Sequence, residues 1–294
     1  MFLMIKIFLK LLFLPFLYIL YFLSGIIPRN KNIIIFGCWE GNQIRGNCLI
    51  LFNYMIKQNH KFKIFWLTKN KNLLDNKIFI YLYSLKGFLL MIRAKIFIYS
   101  HGPIDLNPWL MRNSIKINLT HMILPIKYMY DENESRILKT LNLFQKLKYF
   151  LFQHIYKIKS DYIISNSEFI SDKFVKVFNT EKQRILPLGT PKVDLFKEIL
   201  NKKMKKISIN LMSNKNTMNL KPNKYILVAP TWREDGSNIF ENHNYEINKL
   251  DNFLIDNDIH LIIKFHSFDK IRHTLFDDTK NIVIIYDNVK NFYE

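Results

Sequence analysis

Ile33-Ile34-Ile35-Phe36-Gly37-Cys38-Trp39-Glu40-Gly41-Asn42-Gln43-Ile44-Arg45-Gly46-Asn47 reads as a short strand that runs into a glycine-bearing loop and then opens a helix. The apolar run has no polar alternation, so it describes a strand covered on both faces, as in parallel sheets. Working outward, the same pattern recurs. Strands are predicted at 63–67, 95–100, 116–119, 162–165 and 184–187, and helical periodicity falls at 46–57, 85–93, 135–158 and 168–178. Strand alternating with helix predicts a doubly wound α/β domain.

The alternation breaks over 201–223, a stretch rich in Lys, Asn, Ser and Met with no sustained period, which reads as a linker or surface insertion. It resumes with strands expected at 225–229, 260–265 and 282–286 and helices near 245–256 and 269–276. An open sheet ordinarily has about five strands, so this second α/β unit is expected to be incomplete. The chain thus divides into 1–28, 29–200, 201–223 and 224–294.

The first of these segments is almost wholly apolar, broken only by Lys6 and Lys10 and followed by Pro28-Arg29-Asn30-Lys31. It reads as a hydrophobic membrane anchor. The uncharged part, 11–27, is short beside the roughly 20 residues of a typical span. With Pro15 inside it and basic residues on both sides, it fits a re-entrant or in-plane anchor at least as well as a crossing helix. The basic flank after Ile27 favours the cytoplasmic face of the membrane for the remainder of the chain.

Over 294 residues the formal net charge is +19 and 49% of residues are hydrophobic, enough for a substantial core. The charge favours phosphorylated or membrane partners. Nucleic acid is not expected as a partner, because the lysines are dispersed and form no aromatic-and-basic cluster, zinc-finger spacing or recognition helix. Cys38 and Cys48 have no second pair and no neighbouring histidines, so no metal centre is expected and both read as free thiols. No cofactor is implied.

Ligands of open parallel sheets bind beyond the carboxyl ends of the strands. After the first strand, Gly37 and the glycines behind it either let backbone amides approach an anion at the helix that Asn47 begins, or only form a turn. His101 and His121 each come directly after a strand, where a histidine can act as a general base or be merely structural. Ser165 ends a strand, and Ser167 behind it reads as a helix cap. Gly189 and Lys192 come after the next strand, in a segment that also reads as a turn toward the second unit. In that unit, Thr231 and Arg233 close one strand and His266 the next, a hydroxyl, a planar cation and an imidazole suited to a diphosphate.

Together these pieces resemble the CDP-glycerol glycerophosphotransferase family. Ala229-Pro230-Thr231-Trp232-Arg233 matches that family's A-P-T-W-R. Ser165-Asn166-Ser167, Gly189-Thr190-Pro191-Lys192-Val193-Asp194, Lys264-Phe265-His266 and the loop from Phe36 to Asn47 match others of its segments. The resemblance implies two Rossmann-like domains of GT-B type with the site in their cleft. It implies His121 as acceptor-side base, with Pro125 and Lys127 completing its motif, and His101 as a rival for that role. Arg233, His266 and Thr231 would hold the donor diphosphate, and Gly37, Asn47, Ser165, Gly189 and Lys192 would line the cleft. The reaction implied is attack by an acceptor hydroxyl on the phosphorus next to the polyol of a CDP-polyol donor, displacing CMP. The acceptor would be a lipid-linked, teichoic-acid-like polymer.

The match has departures. Met122 stands where the family has glycine, the spacing from His121 to Pro125 is one residue longer, and Lys192 and Ser267 replace arginine and proline. The family's later donor-side acidic segments would lie past Glu294. Two other readings therefore stand beside the transferase: a sugar-nucleotide glycosyltransferase of the same architecture, and an inactive, membrane-binding remnant.

Overall fold

The computed structural model describes residues 2–74, 77–121, 146, 158–195, 211–212, 217–218, 224–230, 240, 246–265 and 276–285. The chain forms two compact units, Met1–Lys203 and Met204–Glu294.

The first unit is built on a seven-stranded sheet. Its strands are β1 (Asn30–Phe36), β2 (Lys63–Thr68), β3 (Phe79–Tyr81), β4 (Ala94–Tyr99), β5 (Ile115–Asn118), β6 (Tyr162–Ile164) and β7 (Ile185–Leu186), in the spatial order β3-β2-β1-β4-β5-β6-β7. Every pairing is parallel. The apolar run of β1 lies inside the sheet and feeds a core on each side. Ile33 and Ile35 face one core, with Leu67, Phe97, Tyr99 and Met91, while Ile34 and Phe36 face the other, with Trp66, Ile98, Cys48 and Phe52. Burying a side chain of this size is worth about 1.5–3 kcal/mol, and here both faces of one strand collect it. Cys38 and Cys48 are free and buried.

Helices α2 (Gly46–Lys57) and α3 (Leu85–Arg93) stand where helical periodicity placed them. Ser84 caps α3, accepting from the Gly87 N–H at 3.0 Å. Helix α4 (Glu168–Val177) packs Ile170 and Phe174 on Ile163 and Ile185. Strand β3 was not foreseen. It has only three residues at the sheet edge and exists through its register with β2, Trp66 opposite Phe79 and Thr68 opposite Tyr81. The helix expected over 135–158 lies essentially outside the described residues.

Helix α1 (Phe2–Ile26) covers most of the apolar N-terminal segment. Among the described residues no helix is long and apolar enough to cross a membrane, so the expectation of a membrane segment gains no support as a span. From Leu14 onward the helix lies on the first unit. Leu20 packs on the core beneath it, and Tyr18 meets Trp109 edge-on with centroids 5.3 Å apart. Arg29, expected as a charged flank, is instead a half-buried clamp. Its guanidinium donates to five backbone carbonyls, those of Ser24, Met91, Ala94, Leu110 and Arg112, at 2.6–3.1 Å. Helix ends leave carbonyls without partners and concentrate negative potential. One cation here serves the ends of α1, of α3 and of the single turn Pro108–Leu110. Burial lowers its pKa to about 10, so it stays charged at neutral pH.

In the second unit, β10 (Tyr225–Val228), β11 (His260–Lys264) and β12 (Ile282–Ile285) form a parallel sheet in that order. Helix α5 (Ile247–Asp256) packs Ile247 and Leu254 against Leu261, Ile263, Ile282 and Ile284. The buried Asp251 ties α5 to the turn before β12, its two oxygens accepting from the N–H groups of Asn281 and Lys280 at 2.8 Å. Within the stretch read as a linker or insertion, β8 (Leu211–Met212) and β9 (Thr217–Met218) pair antiparallel. The helix expected over 269–276 falls outside the described residues except at its last position.

Candidate active site

In a parallel sheet all strand carboxyl ends lie along one edge. The order β3-β2-β1-β4-β5 places the reversal of strand order between β1 and β4, the position where such folds bind ligands. The loops leaving β1, β4 and β5 meet there.

His101 lies just past β4 and His121 just past β5. Their rings are stacked, 17° from parallel with centroids 4.1 Å apart. Trp39 also meets His101, edge-on at 4.6 Å, and the Arg45 guanidinium lies 3.7 Å over the Trp39 ring. Asp105 anchors the group from inside the protein, with no exposed surface. One of its oxygens accepts from the Glu40 N–H at 2.8 Å. The other accepts from the N–H groups of Ser100 and His101 at 3.0 and 2.9 Å and lies 3.5 Å from His101 Nδ1. Burial alone would raise the Asp105 pKa, but the hydrogen bonds and charge of His101 and the Glu40 N–H outweigh it and hold the carboxyl below its usual range.

His121 Nδ1 faces the Ser100 carbonyl at 3.5 Å. A carbonyl can only accept, so the ring proton belongs on Nδ1 and the lone pair on Nε2. Burial, and then the neighbouring positive charge of His101, pull the His121 pKa down to about 4, with Lys192 pushing the same way and Asp105 opposing. The residue as a whole is exposed, and water screens part of that effect. The direction is clear: His121 is neutral at physiological pH, with a basic nitrogen.

The backbone leading into His121 is under strain. Thr120 adopts φ 52°, a left-handed conformation costly for a β-branched residue, and Trp39 and Glu40 do the same at 51° and 52°. Three hydrogen bonds hold Thr120. Its N–H donates to Asn118 Oδ1 at 2.9 Å, its hydroxyl to the Ile164 carbonyl at 3.3 Å, and its carbonyl accepts from Asn47 Nδ2 at 2.7 Å. Asn47 also donates to the Leu119 carbonyl and accepts from the Lys192 N–H at 3.2 Å. It therefore joins the start of α2, the end of β5 and the start of the helical segment 191–195 after β7.

His101, His121, Asn47 and Lys192 are brought together as the strand-end argument expected. Gly37 belongs to the same corner but in a structural role. A Cβ there would lie 2.6 Å from Leu106 Cδ2 and 3.0 Å from the Asp105 carbonyl, and its N–H donates to Ile98. Within the loop itself, the N–H groups of Gly37, Glu40, Gly41 and Asn42 all donate to protein acceptors. Ser165 stands apart, buried in a local network with the Ser171 hydroxyl at 2.7 Å. Ser167 caps α4, accepting from the Ile170 N–H. Gly189 takes φ +80° in the turn after β7 and donates to the Ser165 carbonyl. Thr231, Arg233 and His266, like Pro125 and Lys127, lie outside the described residues. Asp105 is a further residue of this corner, and a carboxylate four residues past a strand-end histidine is the signal it leaves in the sequence.

The first unit is thus a Rossmann-like α/β sheet with a stacked histidine pair at its switch point, an architecture that hosts many activities. The model of the CDP-Glycerol:Poly(glycerophosphate) glycerophosphotransferase family matches residues 19–293, and the chain belongs to that family. It is similar to a teichoic acid poly(glycerol phosphate) polymerase of Bacillus spizizenii, 29% identical over 226 residues, which are 74% of this chain and 54% of that one. It is also similar to a teichoic acid glycerol-phosphate transferase of Staphylococcus aureus, 27% identical over 277 residues, 90% of this chain and 67% of that one. The chain thus spans about half to two-thirds of the length of these relatives. In fold it resembles a structure of the wall teichoic acid polymerase TagF, with TM-score 0.64 at 18% identity over 98% of this chain and 70% of that one.

Proposed function

We propose that the protein is a GT-B-type transferase that moves glycerol phosphate from CDP-glycerol to a lipid-linked, teichoic-acid-like acceptor, releasing CMP. The observation that carries this reading is His121 at the carboxyl edge of the sheet, its Nδ1 toward the Ser100 carbonyl and its pKa lowered, in a chain of this family. The acceptor hydroxyl gives its proton to His121 as its oxygen attacks the phosphorus beside glycerol. The new P–O bond forms while the P–O bond to CMP breaks, leaving a phosphodiester, CMP and a protonated imidazole. General base catalysis of this kind contributes about 10²–10⁴-fold. Lys192, whose charge reaches His121, provides positive potential for a phosphorylated acceptor. The donor diphosphate is assigned to Arg233, His266 and Thr231 on the match of their segments to the family's motifs. His101 serves beside His121.

Attachment to the cytoplasmic face of the cell membrane belongs to the same proposal. Phe16, Ile19, Leu23 and Ile26 recur at helical spacing along α1 and are exposed. This gives the helix one face on the protein and one apolar face outward, the arrangement of an in-plane interfacial helix.

The test is CMP release from CDP-glycerol by the full chain, given a lipid-linked poly(glycerol phosphate) primer, beside His121→Ala. Release that the substitution abolishes supports the proposal. Turnover of UDP- or GDP-sugars with none of CDP-glycerol would replace it with a glycosyltransferase, and no turnover of either would leave a binding remnant.

A further inference from the structure

The proposed transfer needs one base, yet two imidazoles are stacked at the site, and the inner one is tied to a carboxylate that no step of the reaction uses. That carboxylate is the most heavily engaged group in the corner. Asp105 gathers three backbone N–H groups, from the β1 loop and the end of β4, and its side chain also reaches His101. Asparagine could not replace it, because an amide NH2 would have to face either the Glu40 N–H or the pair from Ser100 and His101. His101 is correspondingly fixed. Nδ1 sits between the Ser100 hydroxyl at 3.0 Å and Asp105, Trp39 abuts the ring, and His121 covers a face. A half-buried ring with those contacts is poorly placed to take a proton from an incoming hydroxyl. His121, which is exposed, is better placed.

We infer that Asp105 and His101 are positioning residues for His121: Asp105 fixes the His101 ring, and His101, stacked on His121 at 4.1 Å, fixes its plane and couples to its titration. The inference rests on the transferase reading for its catalytic meaning, but the coupling of the two rings does not depend on it. Among the described residues, the charged and titratable groups acting on His121 are His101, Asp105 and Lys192. Lys192 acts in the same direction as His101, so removing His101 alone leaves part of the effect in place.

The consequence for the reaction is a base that stays unprotonated well below neutral pH. After transfer, the proton on His121 sits beside His101, a poor place to keep it, which favours its release before the next turnover.

The experiment tracks the imidazole C–H resonances of the full chain through a pH titration, with His121 assigned by its own substitution. In His101→Gln the His121 midpoint is expected to move up by about one unit, because a neighbouring like charge is gone. In His101→Phe, which keeps an aromatic face but no charge, it should move up similarly while His121 keeps its ring-current shift. Asp105→Asn should disturb both resonances, with CMP release falling in kcat and KM for CDP-glycerol little changed. A His121 midpoint unmoved in both His101 variants overturns the inference, whatever happens to activity. Absence of CMP release from the unmodified chain overturns the transferase reading while the titration still decides the coupling.

Discussion

The side-chain amide of Asn47 donates to the carbonyl of Thr120 at 2.7 Å, joining residues 73 positions apart in the chain. Thr120 is the strained residue that presents His121. A buried asparagine at the start of α2 thus sets the backbone behind the base, and its Oδ1 holds the helix start that carries Lys192. Asn47→Ala should cost about 2–3 kcal/mol through carbonyls left without a donor. Asn47→Asp should cost more, since a carboxylate would face the Leu119 and Thr120 carbonyls. Chemical denaturation of the two variants checks the order.

The pH dependence of the reaction is set by His121. With a pKa lowered from 6.5 toward 4, its basic form persists as pH falls through 6, and the acid limb of CMP release should lie below 6.5. Stability has the same sign. Between the two values the unfolded chain binds more protons than the folded one, so the contribution of neutral His121 is present above 6.5 and lost toward pH 4. A rate profile and thermal melts across pH 4–8 test both statements.

Arg29→Ala should destabilise the first unit by about 1–3 kcal/mol, the cost of leaving carbonyls without their donor. Arg29→Lys should recover only part, because an ammonium has three donors and no planar fork to reach five carbonyls. Limited proteolysis should show α1 freed first, since Arg29 ties the Ser24 carbonyl to the rest.

Gly37→Ala should cost about 1–3 kcal/mol, the usual range for overpacking, and should lower activity beyond that cost. The added methyl meets Leu106 and the Asp105 backbone, so it displaces the segment that holds His101. Melting temperature and CMP release measured together separate the two effects.

For α1, Phe16→Glu with Leu23→Glu alters only exposed positions. Stability should stay within about 0.5 kcal/mol, while flotation with vesicles containing anionic phosphatidylglycerol should fall sharply. Unchanged flotation would remove the case for in-plane attachment through this face.

Much of the first unit was legible along the chain. The continuous apolar runs at β1, β2 and β4 specify buried parallel strands, and α2 and α3 begin and end where periodicity placed them. His101 and His121 stood out because strand ends in such sheets face ligands. Strand β3 was not legible, since three residues carry no period and the pairing with β2 creates the strand. Arg29 was read as a membrane flank because its partners are carbonyls far away in sequence, and backbone acceptors leave no mark on residue type. Asp105 was undervalued for the same reason: three of its donors are backbone N–H groups.

What the sequence by itself determined is therefore the α/β class, the place of the strand ends and the chemistry available at them, because periodicity and side-chain type are local properties. Only the tertiary structure decided that Gly37 packs tightly against Leu106 and Asp105, and that Arg29 clamps three helix ends. It alone decided that His101 and His121 stack with Asp105 beneath them. Those facts depend on distances between segments far apart in the chain, which the sheet order sets and no local pattern encodes.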